Sequence, residues 1–193
     1  EASLERIRAI AMGMQKAEGL LDVVEILNTE LKTLGFTDIR NTIINIFNDT
    51  KQKFLNYDYS DYGVGGISEV DYNSHPSNKK FVNKMREASK DFMITEFTGN
   101  ELDEWRKWRI SQGQMPDSKL DQAESLYYYE FSIGVGSIGI STFSPINADQ
   151  LKILSKIRNV FSLAYQRYSD IALAEAQARE AQIEASLERV RAV

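Results

Sequence analysis

Gly139-Ile140-Ser141-Thr142-Phe143-Ser144-Pro145-Ile146-Asn147 marks a change of period in the chain. Up to it, Ser137 to Phe143 (SIGISTF) mixes β-branched and small residues as a strand does, and Pro145 ends that strand. Beyond it, Asn147 is placed to cap a helix that runs without glycine or proline from Ala148 to the last residue. The helix opens with a broad apolar face of Leu151, Ile153, Leu154, Ile157, Val160, Phe161, Ala164 and Tyr165, which a sheet or another helix must cover.

Reading back from this point, Ser125 to Ile133 (SLYYYEFSI) pairs with the same strand as a hairpin around Gly134-Val135-Gly136. Gln114 to Gln122 is polar and holds Pro116, a loop signature. Thr98 to about Ser111 is a helix with Thr98 as cap and Gly113 closing it, and Asp91 to Phe97 (DFMITEF) is a strand. A further helix is expected from a cap at Ser77 or Asn78 to about Lys90, with Phe81, Met85 and Ala88 inward. Ser60 to Ser77 reads as a glycine-bearing loop with room for a short strand at Ile67 to Tyr72.

Asp38 to Asn48 (DIRNTIINIFN) and Lys53 to Tyr59 form an earlier hairpin, with Leu55, Tyr57 and Tyr59 on one face of its second strand and Phe54, Asn56 and Asp58 on the other. From Glu1 to about Leu34 the apolar spacing of threes and fours gives a long amphipathic helix stopped by Gly35. Gly13 and Gly19 weaken its middle, so a bend or break is expected there.

The two ends of the chain carry nearly the same decapeptide, EASLERIRAI from Glu1 and EASLERVRAV from Glu184, identical at eight of ten positions. Such self-similarity marks an array, so the polypeptide is read as one repeat unit of a longer protein, running from linker helix to linker helix. Past Ser169 the apolar face of the last helix narrows to a seam of Leu173, Ala176, Glu180, Ile183, Leu187 and Val190, with Leu4 and Ile7 as the matching positions of the first decapeptide. A two-in-seven seam needs a partner helix, and a parallel homodimer supplies one.

At 193 residues, 42% hydrophobic and 26% charged, the chain is long and apolar enough to bury a core. A net charge of −5 without any basic stripe argues against a nucleic-acid partner. No apolar run reaches the roughly 20 residues that cross a bilayer, so no membrane insertion is expected of this segment and a cytoplasmic location is. Cysteine is absent, which excludes disulfides, thiolate metal sites and a cysteine nucleophile. No cofactor is expected.

Gly134-Val135-Gly136-Ser137-Ile138-Gly139 matches the dinucleotide fingerprint GxGxxG, but a strand follows where a phosphate-binding helix would have to begin. His75, the single histidine, lies in a turn and reads as a solvated loop residue. Trp105 and Trp108, with Arg106, Lys107 and Arg109 around them, either hold an anionic aromatic ligand or anchor their helix to the sheet. The same choice applies to Tyr57, Tyr59, Tyr127, Tyr128 and Tyr129. Glu130 interrupts an apolar strand, so it faces either a ligand pocket or solvent. Tyr57, Tyr59, Trp105, Trp108, Arg109, Tyr128 and Glu130 are the candidate ligand residues, and no catalytic or metal-ligating group is expected.

The order helix, hairpin, loop, helix, strand, helix, hairpin, long helix resembles that of GAF domains, the sensing modules of phosphodiesterases, bacterial adenylate cyclases and sensor histidine kinases. The resemblance covers about Leu20 to Arg167 and is most specific from Gly139 to Asn147 and along the apolar face through Tyr165. It implies an α+β fold, an antiparallel sheet flanked by helices, with a linker helix at 1–19, the sensory domain at 20–168 and a coiled-coil linker at 169–193. It also implies a non-catalytic sensory or regulatory role in a larger bacterial signalling protein of the two-component or cyclase class, relaying the state of a small ligand to neighbouring domains of the same chain. A ligand-free dimerisation and relay module is the alternative. The chain departs from the cyclic-nucleotide branch: Asn78-Lys79 and Phe97 are present, but Asp103-Glu104 begins six residues past Phe97 where that pattern requires four.

Overall fold

A computed structural model describes residues 2–14, 19–61, 63–87, 92–114 and 116–191, with only the backbone given for 63–65. Expectations that fall on Glu1, Ala88, Lys90, Asp91, Ala192 and Val193 lie outside the described residues.

The opening helix is divided in two, α1 (Ala2–Gly13) and α2 (Gly19–Thr33), at the glycines where helix propensity is lowest. Gly35, at φ 91°, closes α2 with paired bonds from Phe36 N to Leu31 O and from Gly35 N to Lys32 O, and the Phe36 ring is buried beneath them. The strands are β1 (Ile39–Asn48), β2 (Lys53–Ser60), β3 (Gly63–Asp71), β4 (Phe92–Thr98), β5 (Ser125–Ser132) and β6 (Gly136–Thr142). They form one antiparallel sheet in the order β3-β2-β1-β6-β5-β4. The remaining helices are α3 (Pro76–Glu87), α4 (Gly99–Ser111), α5 (Ser118–Gln122) and α6 (Ala148–Arg191).

Period-two alternation sorts the sheet into two faces. Ile44, Tyr57, Tyr129, Phe131, Ile138 and Ile140 join Leu20, Val24, Leu27 and Leu31 of α2 and Leu154, Ile157 and Phe161 of α6 in the largest core. On the opposite face Phe54, Val70 and Met93 meet Phe81, Val82 and Met85 of α3, while Phe97 and Leu126 meet Leu102 and Trp105 of α4 and Leu120 of α5.

Gly136 and Gly139 are placed where a Cβ would run into the backbone of Asn45 and of Tyr129 respectively, so close strand packing requires them. Gly134, at φ 85°, makes the hairpin turn. The GxGxxG stretch is therefore a turn followed by a tightly packed central strand.

Several expectations are corrected. The short strand expected at Ile67 to Tyr72 is present but starts earlier, as a nine-residue edge strand from Gly63 to Asp71, because pairing with β2 holds the stretch read as loop despite its glycines. The 114–122 segment contains α5, nucleated by Asp117, whose Oδ1 accepts from Leu120 N at 3.0 Å. Thr98 stands at the N-cap of α4 but its side chain makes no capping bond. Ile7 and Ala11 are buried, and Leu4 packs against the same cluster as α6. Bonds of 2.5 and 2.6 Å from Arg6 Nε and Nη2 to the Glu30 carboxylate tie α1 to α2. Leu4 and Ile7 are thus covered within their own chain instead of lying on an open seam.

The other copy of the decapeptide has no such cover. From Leu173 to Arg191, α6 is exposed on every side, Leu173, Ile183, Leu187 and Val190 at 52–75%. At 44 residues the helix is about 66 Å long. Among the described residues no helix is long and apolar enough to cross a membrane.

Candidate functional site

Between the sheet and the helices α3 and α4 lies a chamber of about 80 Å³. An outer recess of about 280 Å³ adjoins it, the two sharing Arg40, Asn41, Asn56, Asp58, Arg109 and Gln114 as walls. The helical spacing of Trp105 and Trp108 turns both indoles toward the sheet. They stack with ring centroids 4.5 Å apart, and Phe97 of β4 stacks on Trp105 at 4.7 Å.

His75 completes this aromatic wall, edge-on to Trp105 at 5.0 Å and tilted against Trp108 at 5.5 Å. Its Nδ1 accepts from Ser77 N at 3.1 Å, so His75 caps α3 with Pro76 as the first helical residue. Burial lowers its pKa, which agrees with an unprotonated accepting nitrogen. The expectations of a solvated histidine and of a cap at Ser77 or Asn78 are both replaced. The His-Pro dipeptide before an amphipathic stretch is the signal that could have located the cap.

The floor is polar. Period two in β1 puts Asn41, Ile43 and Asn45 on the chamber side, and the same period in β5 adds Tyr128 and Glu130. Asn56 Nδ2 donates to Asn45 Oδ1 at 2.8 Å, and Asn45 Nδ2 donates to Glu130 Oε1 at 2.9 Å and to Ser137 Oγ at 3.0 Å. Ser137 Oγ also donates to Glu130 Oε1, at 3.2 Å. Glu130 is 7% exposed, and burial pushes its carboxyl up to about 8 against the opposing effect of Ser137 and Asn45. Burial thus favours the neutral acid, and the choice left open for Glu130 is resolved by its position: it faces the chamber, hydrogen-bonded to Asn45 and Ser137.

At the junction with the outer recess the charges are mixed. Arg40, 5% exposed, donates from Nε to Asp117 Oδ2 at 2.7 Å, and from Nη1 to Ser141 Oγ at 3.4 Å. Burial acts to raise the Asp117 carboxyl, but the Leu120 amide and Arg40 together hold it below its ordinary value. Burial raises the Asp58 carboxyl, although Asn41 Nδ2 donates to its Oδ2 at 3.3 Å. Arg109 donates from Nε to Gln114 Oε1 at 2.7 Å, and burial, with Arg40 adding to it, lowers its pKa.

No protein-family model matches this chain, and no curated protein does. The site therefore stands on its own geometry.

Five of the seven candidate residues, Trp105, Trp108, Arg109, Tyr128 and Glu130, line the chamber together. Tyr57 and Tyr59 do not: Tyr57 is buried in the core beneath α2 and α6, and Tyr59 packs against it. The alternation of β2 dictates this, since Asn56 and Asp58 take the chamber face. Asn41, Asn45, Asn56, Asp58 and Ser137 were missed, although asparagines alternating with isoleucines in a strand are a readable sign of a buried polar floor. Among the described residues, no group of three or more His, Asp or Glu side chains is arranged to hold a metal ion. Trp108 Nε1 is buried without an acceptor, a state that costs about 1–3 kcal/mol while it lasts.

Proposed function

We propose that this chain is a GAF-type sensory and regulatory segment of a larger signalling protein, one that binds a small molecule in the chamber under α4 and passes the bound state along α6. The segment is non-catalytic in this reading, and the class of its parent is the sensor histidine kinase or cyclase class, in the cytoplasm. The observation that carries it is the chamber itself: an aromatic wall over a hydrogen-bonded polar floor, with a buried indole N–H that has no acceptor among the described residues. Apolar pockets with a few converging polar groups are where small ligands bind. The element order and the strand-to-capped-helix passage from Gly139 to Asn147 support the GAF assignment.

The exposed row Leu173, Ile183, Leu187 and Val190 favours a second reading, a ligand-free module that only dimerises and relays. Thermal-shift screening of the chain against a metabolite library separates the two, because a molecule that binds only the folded state must raise the apparent melting temperature. A sensor gives at least one such compound, and its effect is lost when Trp108 is replaced by alanine. If no compound raises the melting temperature, the relay-only module is the better account.

A further inference from the structure

The hydrogen-bond inventory of the chamber restricts the class of ligand, and the inference drawn from it rests on the sensory reading above. Donors outnumber acceptors among the groups left over. Trp108 Nε1 has no acceptor, and Tyr128 Oη accepts from Trp105 Nε1 at 3.3 Å with its own hydrogen unengaged among the described residues. Among the described residues Arg109 engages only Nε, so both terminal nitrogens of its guanidinium stand available at the junction of chamber and recess. Glu130 has its Oε2 without a partner among the described residues, on a carboxyl whose neutral form burial favours. The acceptors Asn45 Oδ1, Asn41 Oδ1 and Gln114 Oε1 are already engaged. Among the described residues, one oxygen of Asp58 and Asn78 Oδ1 are the exceptions. A ligand that fits must present acceptors to these donors.

Charge and shape narrow it further. Arg40 is paired with Asp117, which leaves Arg109 as the guanidinium able to take an oxyanion through two parallel bonds. Asp58 and Asp117 stand beside it and disfavour a multiply charged anion. The stacked Trp105 and Trp108 rings offer a flat apolar wall. The chamber has about half the volume of the roughly 150 Å³ cavity that holds benzene, so it admits no more than a single ring, and that ring must extend into the adjoining recess. We propose that the chamber recognises a small single-ring aromatic monocarboxylate, its ring against the Trp105–Trp108 pair and its carboxylate on the terminal nitrogens of Arg109.

Benzoate and benzamide, alike in shape and different in charge, are the probes. Trp105 and Trp108 are the two tryptophans of the chain, so intrinsic fluorescence reports on this wall. Titration of the full chain is expected to give saturable quenching, with benzoate bound about tenfold or more tighter than benzamide, the effect of one charge-assisted pair. Arg109→Gln should abolish that preference, and Arg109→Lys, which keeps the charge but not the fork, should retain part of it. Trp108→Phe, which keeps a ring and removes the N–H, should weaken both probes. Equal affinity of wild type for the two probes, or a preference that survives Arg109→Gln, overturns the proposal. If neither probe binds while an uncharged library compound raises the melting temperature, the ligand class is wrong and the sensory reading stands. If no compound does so, both fall.

Discussion

Burial pushes the Glu130 carboxyl from its ordinary 4.5 up to about 8, and the sign of the consequence for stability follows directly. A folded-state pKa above the unfolded one means that the native protein holds the proton more tightly, so stability is fullest below about pH 4.5 and declines as pH rises through about 8. Glu130→Gln keeps an oxygen for Asn45 and Ser137 and cannot ionise, so its melting temperature should fall less than that of wild type between these two pH values. Parallel melting curves across that range check this, and identical slopes would mean that Glu130 is ionised in the fold. Gly139 is the second residue whose role is set by contact, since a Cβ there meets the backbone of the neighbouring strand. Gly139→Ala should destabilise the protein by several kcal/mol, measured by chemical denaturation, because a clash in the sheet centre has no flexible side chain to yield. Glycine identity is visible in a sequence, but the strand that presses on it is not. For the same reason the candidate floor was legible only in part: Glu130 stood out as a charge in an apolar strand and the asparagines of β1 alternate with isoleucines, whereas the bonds joining Asn45, Ser137 and Glu130 form only when three strands lie side by side.

At the level of elements, local signals were legible where they act through chain neighbours. Asn147 caps α6 by accepting from Asp149 N and Gln150 N at 3.0 and 2.9 Å, and Gln150 Oε1 accepts from Asn147 N at 3.0 Å, a reciprocal box at the helix start. Asn147→Ala should cost about 1 kcal/mol of stability in denaturant titration, and a loss near zero would place the start of the helix elsewhere. The Gly35 stop and the hairpin at Gly134 were equally readable, because each depends on backbone conformations that glycine favours. The edge strand β3 was readable only from Ile67 onward, since over its first half pairing with β2 outweighs the turn chemistry of Gly63 and Gly66. The length of α1 and α2 was overestimated as one helix, while the place of the break was anticipated at Gly13 and Gly19. Tyr57 and Tyr59 were assigned to the site because aromatic residues suggest pockets, but the pleat sends them to the opposite face from Asn56 and Asp58.

For the whole molecule, the same decapeptide has two fates. Its first copy buries Ile7 in the core beside α6, and its second leaves Leu187 and Val190 exposed at the end of a helix that nothing covers from Leu173 onward. Burying such side chains is worth roughly 1.5–3 kcal/mol each, and we propose that a parallel second copy of the chain supplies the helix that covers them. With no cysteine in the sequence, Glu184→Cys provides a single labelling position on this stretch. The most direct test of the account is the distance between two spin labels at that position in a dimer, measured alone and with the compound that most raises the melting temperature in the library screen. The account predicts one short intermolecular distance, abolished by Leu187→Glu and shifted when that compound is bound. No intermolecular coupling, or a distance that is the same with and without the compound, would contradict it.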